Sequence, residues 1–219
     1  MADTPFNMNT SLDENLNDVP EDLDDMKLGI MRLLEQSQKV EDDVKKALIL
    51  AKAGVFSRAA GNLDNSESLL TEAIGILKDN DMLKQATDLR VRLALTHVSQ
   101  QKYAEAEKVF NSLIEKADEK QPRDEAFDKL KEICLMGLGK MKFDQKMYPG
   151  AKRCFSEAAE MKMNRGDTAG YNKCNESLEI TQKKMDEITG ANKTETAPDN
   201  YIDPLLAGTA DEDLENDEN

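Results

Sequence analysis

The chain has 219 residues, with 44 acidic and 29 basic side chains, a single histidine and a net charge of −15. Proline is scarce, tryptophan is absent and Ala, Leu, Lys and Glu are abundant, which favours helix, and no stretch alternates apolar and polar residues long enough to make a strand. The opening Met1-Ala2-Asp3-Thr4-Pro5 lacks the basic start and apolar core of a secretory signal and no segment is apolar enough to span a bilayer, so an all-α cytoplasmic protein without direct membrane insertion is expected.

Taken in chain order, residues 1–21 form an acidic arm. Residues 1–25 carry eight acids and no base, and residues 199–219 again eight acids and no base, leaving 28 acids against 29 bases in between. The body is nearly neutral and the charge sits at the ends. Segments of that composition bury too little apolar surface to offset chain entropy and are expected to be disordered when free. They also argue against nucleic acid as a partner. Within the N-terminal arm, Ser11-Leu12-Asp13-Glu14 has the form of a capping box. Leu12, Leu16 and Val19 then share one helical face, and Pro20 ends it. A helix this short is marginal in water and is expected only on binding. Neither arm is expected to pack on the body.

The helical body is expected over 22–189. Met26, Ile30, Leu33 and Leu34 mark one face of a helix ending near Lys39. Three helical pairs follow, 42–60 with 64–78, 82–100 with 104–118, and 124–144 with 149–164. A last helix, capped by Asp167 or Thr168, runs to about Ile188, with Gly190 at its end. Residues 190–219 are expected to be a linker and a disordered acidic tail. That tail holds an apolar island, Tyr201, Ile202, Leu205 and Leu206, with the composition of a short linear motif.

The pairs share a spacing. Leu138-Gly139 is followed by Tyr148, Ala151, Phe155 and Ala158. Leu93-Ala94 is followed by Tyr103, Ala106, Phe110 and Leu113, and Ala53-Gly54 by Leu63, Ser66, Leu70 and Ala73. The small residues let paired helices approach closely, and the aromatic ones fill the layer between pairs. This pattern resembles the tetratricopeptide repeat. It covers about residues 42–164, in repeats at 42–80, 82–120 and 124–164. The anchors Leu63, Tyr103 and Tyr148 lie 40 and 45 residues apart, longer than the roughly 34 of the standard repeat. The extra residues are expected around Asp79–Asp81 and Lys116–Asp124. One pair alone cannot bury its apolar face, so the expected architecture is a helical-hairpin solenoid with a capping helix at each end.

The resemblance implies a concave groove lined by the first helix of each pair. Carried over position by position, that groove takes Leu48, Ala51, Lys52, Val55 and Arg58 from the first repeat. It takes Asp88, Val91, Arg92, Leu95 and Ser99 from the second, and Ile133, Met136, Lys140 and Phe143 from the third. Repeats of this family that grip the acidic tails of heat-shock chaperones use a basic and amide clamp. Here Ala51, Val55, Arg92, Ile133 and Gly137 stand at those positions, and only Arg92 suits the role. The remaining surface, apolar with a few bases, suits an amphipathic helix or an extended peptide. The C-terminal island among its acids is expected to visit this groove transiently.

Catalytic patterns are missing. Gly137-Leu138-Gly139-Lys140 shares letters with a phosphate loop but lacks its spacing and lies within a predicted helix. No nucleophile–base set, cofactor motif or metal-ligand spacing can be nominated. His97 is expected to pack. Cys134, Cys154 and Cys174 are expected to be reduced thiols in or near the core, their even spacing a coincidence. The function expected is therefore a non-enzymatic adaptor or scaffold that binds one or more proteins. A chaperone for a secreted protein, as in type III secretion, and a regulatory subunit of an enzyme are the alternatives.

Overall fold

The computed structural model describes residues 6–119 and 125–194, with side chains through residue 190. Two short strands, β1 (Thr10–Leu12) and β2 (Asp18–Pro20), precede eight helices among the described residues. These are α1 (Leu23–Lys39), α2 (Asp43–Ala59), α3 (Leu63–Asp79), α4 (Leu83–Ser99), α5 (Tyr103–Glu119), α6 (Glu125–Asp144), α7 (Tyr148–Asn164) and α8 (Thr168–Thr194). The chain divides into two compact units, residues 1–184 and 185–219.

The fold of the first unit is an all-α helical-hairpin solenoid. From α1 to α7 each helix packs on the next, and α2, α4 and α6 also meet along one side. Helix starts are set by local chemistry: the side chains of Asp22, Asp42 and Asn62 accept from the backbone N–H three residues on, satisfying one of the otherwise unpaired donors of a first turn. Five helix ends, those of α2, α3, α4, α6 and α7, follow one rule. At Gly61, Asp81, Gln101, Lys146 and Gly166 the backbone enters the left-handed region, with φ of 80°, 57°, 61°, 60° and 77°. The next N–H reaches back five residues, as in Asn62 to Ser57, Met82 to Leu77 and Lys102 to His97. Each is a Schellman turn, which satisfies the last carbonyls and reverses the chain within three residues.

This rule explains the long repeat. Helices of 17 residues at α2 through α5 joined by three-residue turns give a unit of 20 residues and a pair of 40. No insertion occurs around Asp79–Asp81; the extra length is in the helices. Residues 120–124 lie outside the described residues. The same period accounts for the cysteines: Cys134, Cys154 and Cys174 occupy matching places on successive helices, and the first and last are buried. The expectation of coincidence is corrected here. Burial pushes the Cys134 thiol up to about 12, so it is a packed group at neutral pH. At the C-terminal end, α8 passes Ile188 and continues to Thr194. Gly190 is absent from the left-handed glycines, which among the described residues are Gly61 and Gly166, so it does not stop the helix.

Small residues make the close approaches. A Cβ on Gly54 would lie 2.9 Å from Leu70 Cγ, and one on Gly137 2.5 Å from Phe110 Cζ. Phe110 and Phe155 are almost fully buried between helices, and Phe143 meets Tyr148 edge-on at 5.2 Å. His97 packs as expected and joins a polar tie: Glu67 on α3 accepts from Lys102 Nζ and Gln100 Nε2, both at 2.8 Å, and lies 3.4 Å from His97 Nε2. The Lys102 and Gln100 hydrogen bonds hold the Glu67 carboxyl down at about 2, against an ordinary 4.5. A carboxylate depressed in this way stabilises the fold fully above pH 4.5, and the contribution fades as pH falls toward 2. The Glu67→Gln variant is therefore expected to lose less stability than the parent between pH 6 and pH 3, read as the shift in urea midpoint. Equal shifts would show that the tie contributes nothing.

Candidate polypeptide-binding groove

Helices α2, α4, α6 and α8 present one common face. Arg58 of α2, Leu95 and Ser99 of α4, Met136 and Lys140 of α6, and Lys173 of α8 all line a single cavity of about 460 Å³ on it. The other wall of that cavity is the N-terminal arm itself, through Leu12, Leu16, Asn17, Asp18 and Val19. The groove already holds a polypeptide, and it is a segment of the same chain.

Here the structure differs from the expectation of a disordered N-terminal arm with a latent helix. Residues Thr10–Leu12 and Asp18–Pro20 pair antiparallel, with Ser11 opposite Val19. Asp13, expected inside a capping box, organises a turn. Its carboxylate accepts from the backbone N–H of Asn15 and Asn17 at 2.9 and 2.8 Å, and from the Asn17 side chain at 2.9 Å. Those bonds offer the backbone an alternative to a helix. Leu16 takes φ of 60° at the turn. Its side chain is buried and joins Phe143, Ala151 and Phe155 in one cluster, with Leu12 and Met136 against it. A lone hairpin of this size is marginal in water, so the helices hold it.

Charge completes the contact. Asp18 Oδ2 meets Arg58 Nη2 at 2.9 Å, and Oδ1 meets Lys173 Nζ at 2.8 Å. Burial works to raise the Asp18 carboxyl, but Arg58 and Lys173 outweigh it and hold the group below its ordinary value. Lys140 pairs with Asp144 on its own helix. Further back, Met8 covers Gly29 of α1 closely enough that a Cβ there would overlap its sulfur. The Asn7 N–H donates to Asp25 at 3.1 Å.

A second cavity of about 380 Å³ lies between α2 and α4. Lys52, Val55 and Arg92 line it, together with Leu48, Ala51 and Asp88, and among the described residues none of the arm does. The Lys52 ammonium stands 5.8 Å from the Phe56 ring centre. The residues expected in the groove thus separate into three groups. Arg58, Leu95, Ser99, Ile133, Met136 and Lys140 face the arm, and Lys52, Val55 and Arg92 line the open part. Phe143 is buried under Leu16. Val91, at 1% exposure, belongs to the core with Ala94 and Val98. Tyr201, Ile202, Leu205 and Leu206 lie outside the described residues. The sequence reading missed Lys173 and Asp18; the one available signal was an isolated acid-bearing arm beside a neutral body.

The Leu16→Ala variant tests the arm's anchor. Truncating a buried leucine costs about 2–5 kcal/mol, borne here by docking. Amide exchange at Asp13 and Glu21, whose N–H groups are bonded to Asn17 and Asn9, is expected to speed up at least about tenfold, with α3 unaffected. Unchanged exchange would show that Leu16 does not hold the arm.

No family model matches the chain, and no curated protein matches it. Among solved structures, it is similar to the crystal structure of BtubC (BKLC) from P. vanneervenii, at 13% identity and a TM-score of 0.46, over 90% of this chain and 79% of that one. Among the described residues, no helix is long and apolar enough to cross a membrane.

Proposed function

We propose that the protein is a non-enzymatic adaptor of the tetratricopeptide type, which holds a segment of a partner protein in the groove formed by α2, α4, α6 and α8. One observation carries this reading: the groove is occupied by a polypeptide hairpin, with an apolar side chain buried on its floor and a carboxylate bound by two cations. The chemistry of the face is that of recognition. It combines apolar surface with a few charged groups placed to fix orientation. The tetratricopeptide assignment is supported by the close packing of Gly139 on Phe155 and Gly54 on Leu70, where that repeat places small residues against large ones.

A photo-cross-linking residue at Lys52, in the open part of the groove, tests the proposal. Irradiated in cells, the full chain is expected to form an adduct with another polypeptide, whereas the same probe at Glu115 on α5 is not. Adducts at Glu115 alone, or none at either place, would overturn the reading. The identity of the captured polypeptide separates a general adaptor from a secretion chaperone and from a regulatory subunit.

A further inference from the structure

We propose that the partner segment this groove binds is acidic and leucine-bearing, and that residues 6–20 are a built-in copy of it, which the partner displaces. The inference deepens the adaptor reading and rests on it.

The occupant defines the chemistry. Leu12 and Leu16 lie against the apolar floor at Met136, Phe143 and Phe155. Two residues beyond Leu16, Asp18 sits between Arg58 and Lys173. Those two cations come from helices far apart in sequence, and among the described residues Asp18 is the carboxylate paired with each. When the arm leaves, they face the groove without an acid. A basic or wholly apolar segment would leave that charge uncompensated, whereas a carboxylate would restore the pairing.

The arm is also built to be exchanged. Its strands are three residues each, and among its described residues only Leu16 is buried. A space of about 460 Å³ remains between the arm and the helices, so the fit leaves room for a fuller occupant. The arm is retained by Leu16 and the Asp18 pairs together with its tether, which sets an effective concentration of about a millimolar. A free segment with the same contacts and better filling would win the site.

The probe is a synthetic peptide with the sequence of residues 6–21, and the host is the full chain carrying Leu16→Ser and Asp18→Ala. These changes weaken the arm and leave the helices untouched. By fluorescence anisotropy this chain is expected to bind the peptide at least about tenfold tighter than the wild-type chain does. Adding Arg58→Glu and Lys173→Glu is expected to reduce that binding at least about tenfold. Equal affinity of the wild-type and arm-weakened chains, or no binding to either, would overturn the proposal. The wild-type chain provides an independent readout that requires no variant to fold. In excess peptide, its Leu16 methyl signals are expected to move to the positions of the free arm, and unmoved signals under saturation would also overturn the proposal. A control peptide in which Asp13, Glu14, Asp18 and Glu21 are lysine separates the two readings. Preference for it would overturn the acidic partner and leave the adaptor standing. Absence of any peptide binding, combined with absence of cross-linked polypeptide at Lys52, would remove both.

Discussion

The Gly139→Leu protein is expected to be less stable than the parent by about 3 kcal/mol and to melt roughly 6–12 °C lower. Gly139 sits on α6 where α7 crosses it, and even a Cβ there would overlap Phe155 Cε1. The Phe155 ring is 1% exposed and has nowhere to move. Overpacking of a filled core typically costs about 1–3 kcal/mol, and the ring and both helices make the upper end the expected one. For a domain of this size each kcal/mol is worth about 2–4 °C. Gly75 provides the control. It lies inside α3, and a Cβ there meets nothing within 4 Å. The Gly75→Ala change is expected to stabilise by about 0.5–1 kcal/mol, because alanine loses less backbone freedom in a helix. Circular dichroism melts of the two variants should move in opposite directions. A Gly139→Leu melt that coincides with the parent would refute close packing of α6 on α7.

The second large effect is expected at Glu132, which no motif singles out. Its carboxylate is buried at 1% exposure on α6. Oε2 accepts from Arg165 Nη2 at 2.6 Å and pairs with Lys162 Nζ at 3.1 Å. Both cations also reach Asp167, at 3.3 and 3.2 Å. The cluster ties α6 to the end of α7 and to the turn that starts α8. Removing one partner of a buried pair costs about 3–5 kcal/mol, since the remaining charge is left out of water without compensation. Asp167 still faces both cations in the Glu132→Ala variant, so about 3 kcal/mol is expected. Urea titration measures it directly. A loss below about 0.5 kcal/mol would mean that the cations find solvent when Glu132 is gone.

The same contrast between local and distant causes decides what could be read from the sequence. The boundaries of α2 to α5 fall within one to two residues of those expected. Apolar periodicity, caps such as Asp42 and Asn62, and the turn at Gly61 all act within a few residues. Small-against-large packing at Gly54 and Gly139 was legible for the same reason, because it recurs along the repeat. The arm was not legible. Ser11-Leu12-Asp13-Glu14 serves equally as a helix cap and as the start of a turn closed by Asp13, and nothing nearby chooses between them. The choice is made by a pocket at Phe143 and Phe155 and by cations at 58 and 173. Val91 and Val55 were both expected in the groove, yet Val91 is core and Val55 lines the open cavity, because which side of a helix is covered depends on the helices stacked against it.

The sequence by itself thus determined an all-α solenoid of helical pairs, its turn positions and the small residues that allow close packing, since periodicity and turn chemistry are local properties of the chain. Only the tertiary structure decided what sits in the groove. Burial of Leu16 and pairing of Asp18 with Arg58 and Lys173 join residues that become neighbours only after the helices have stacked.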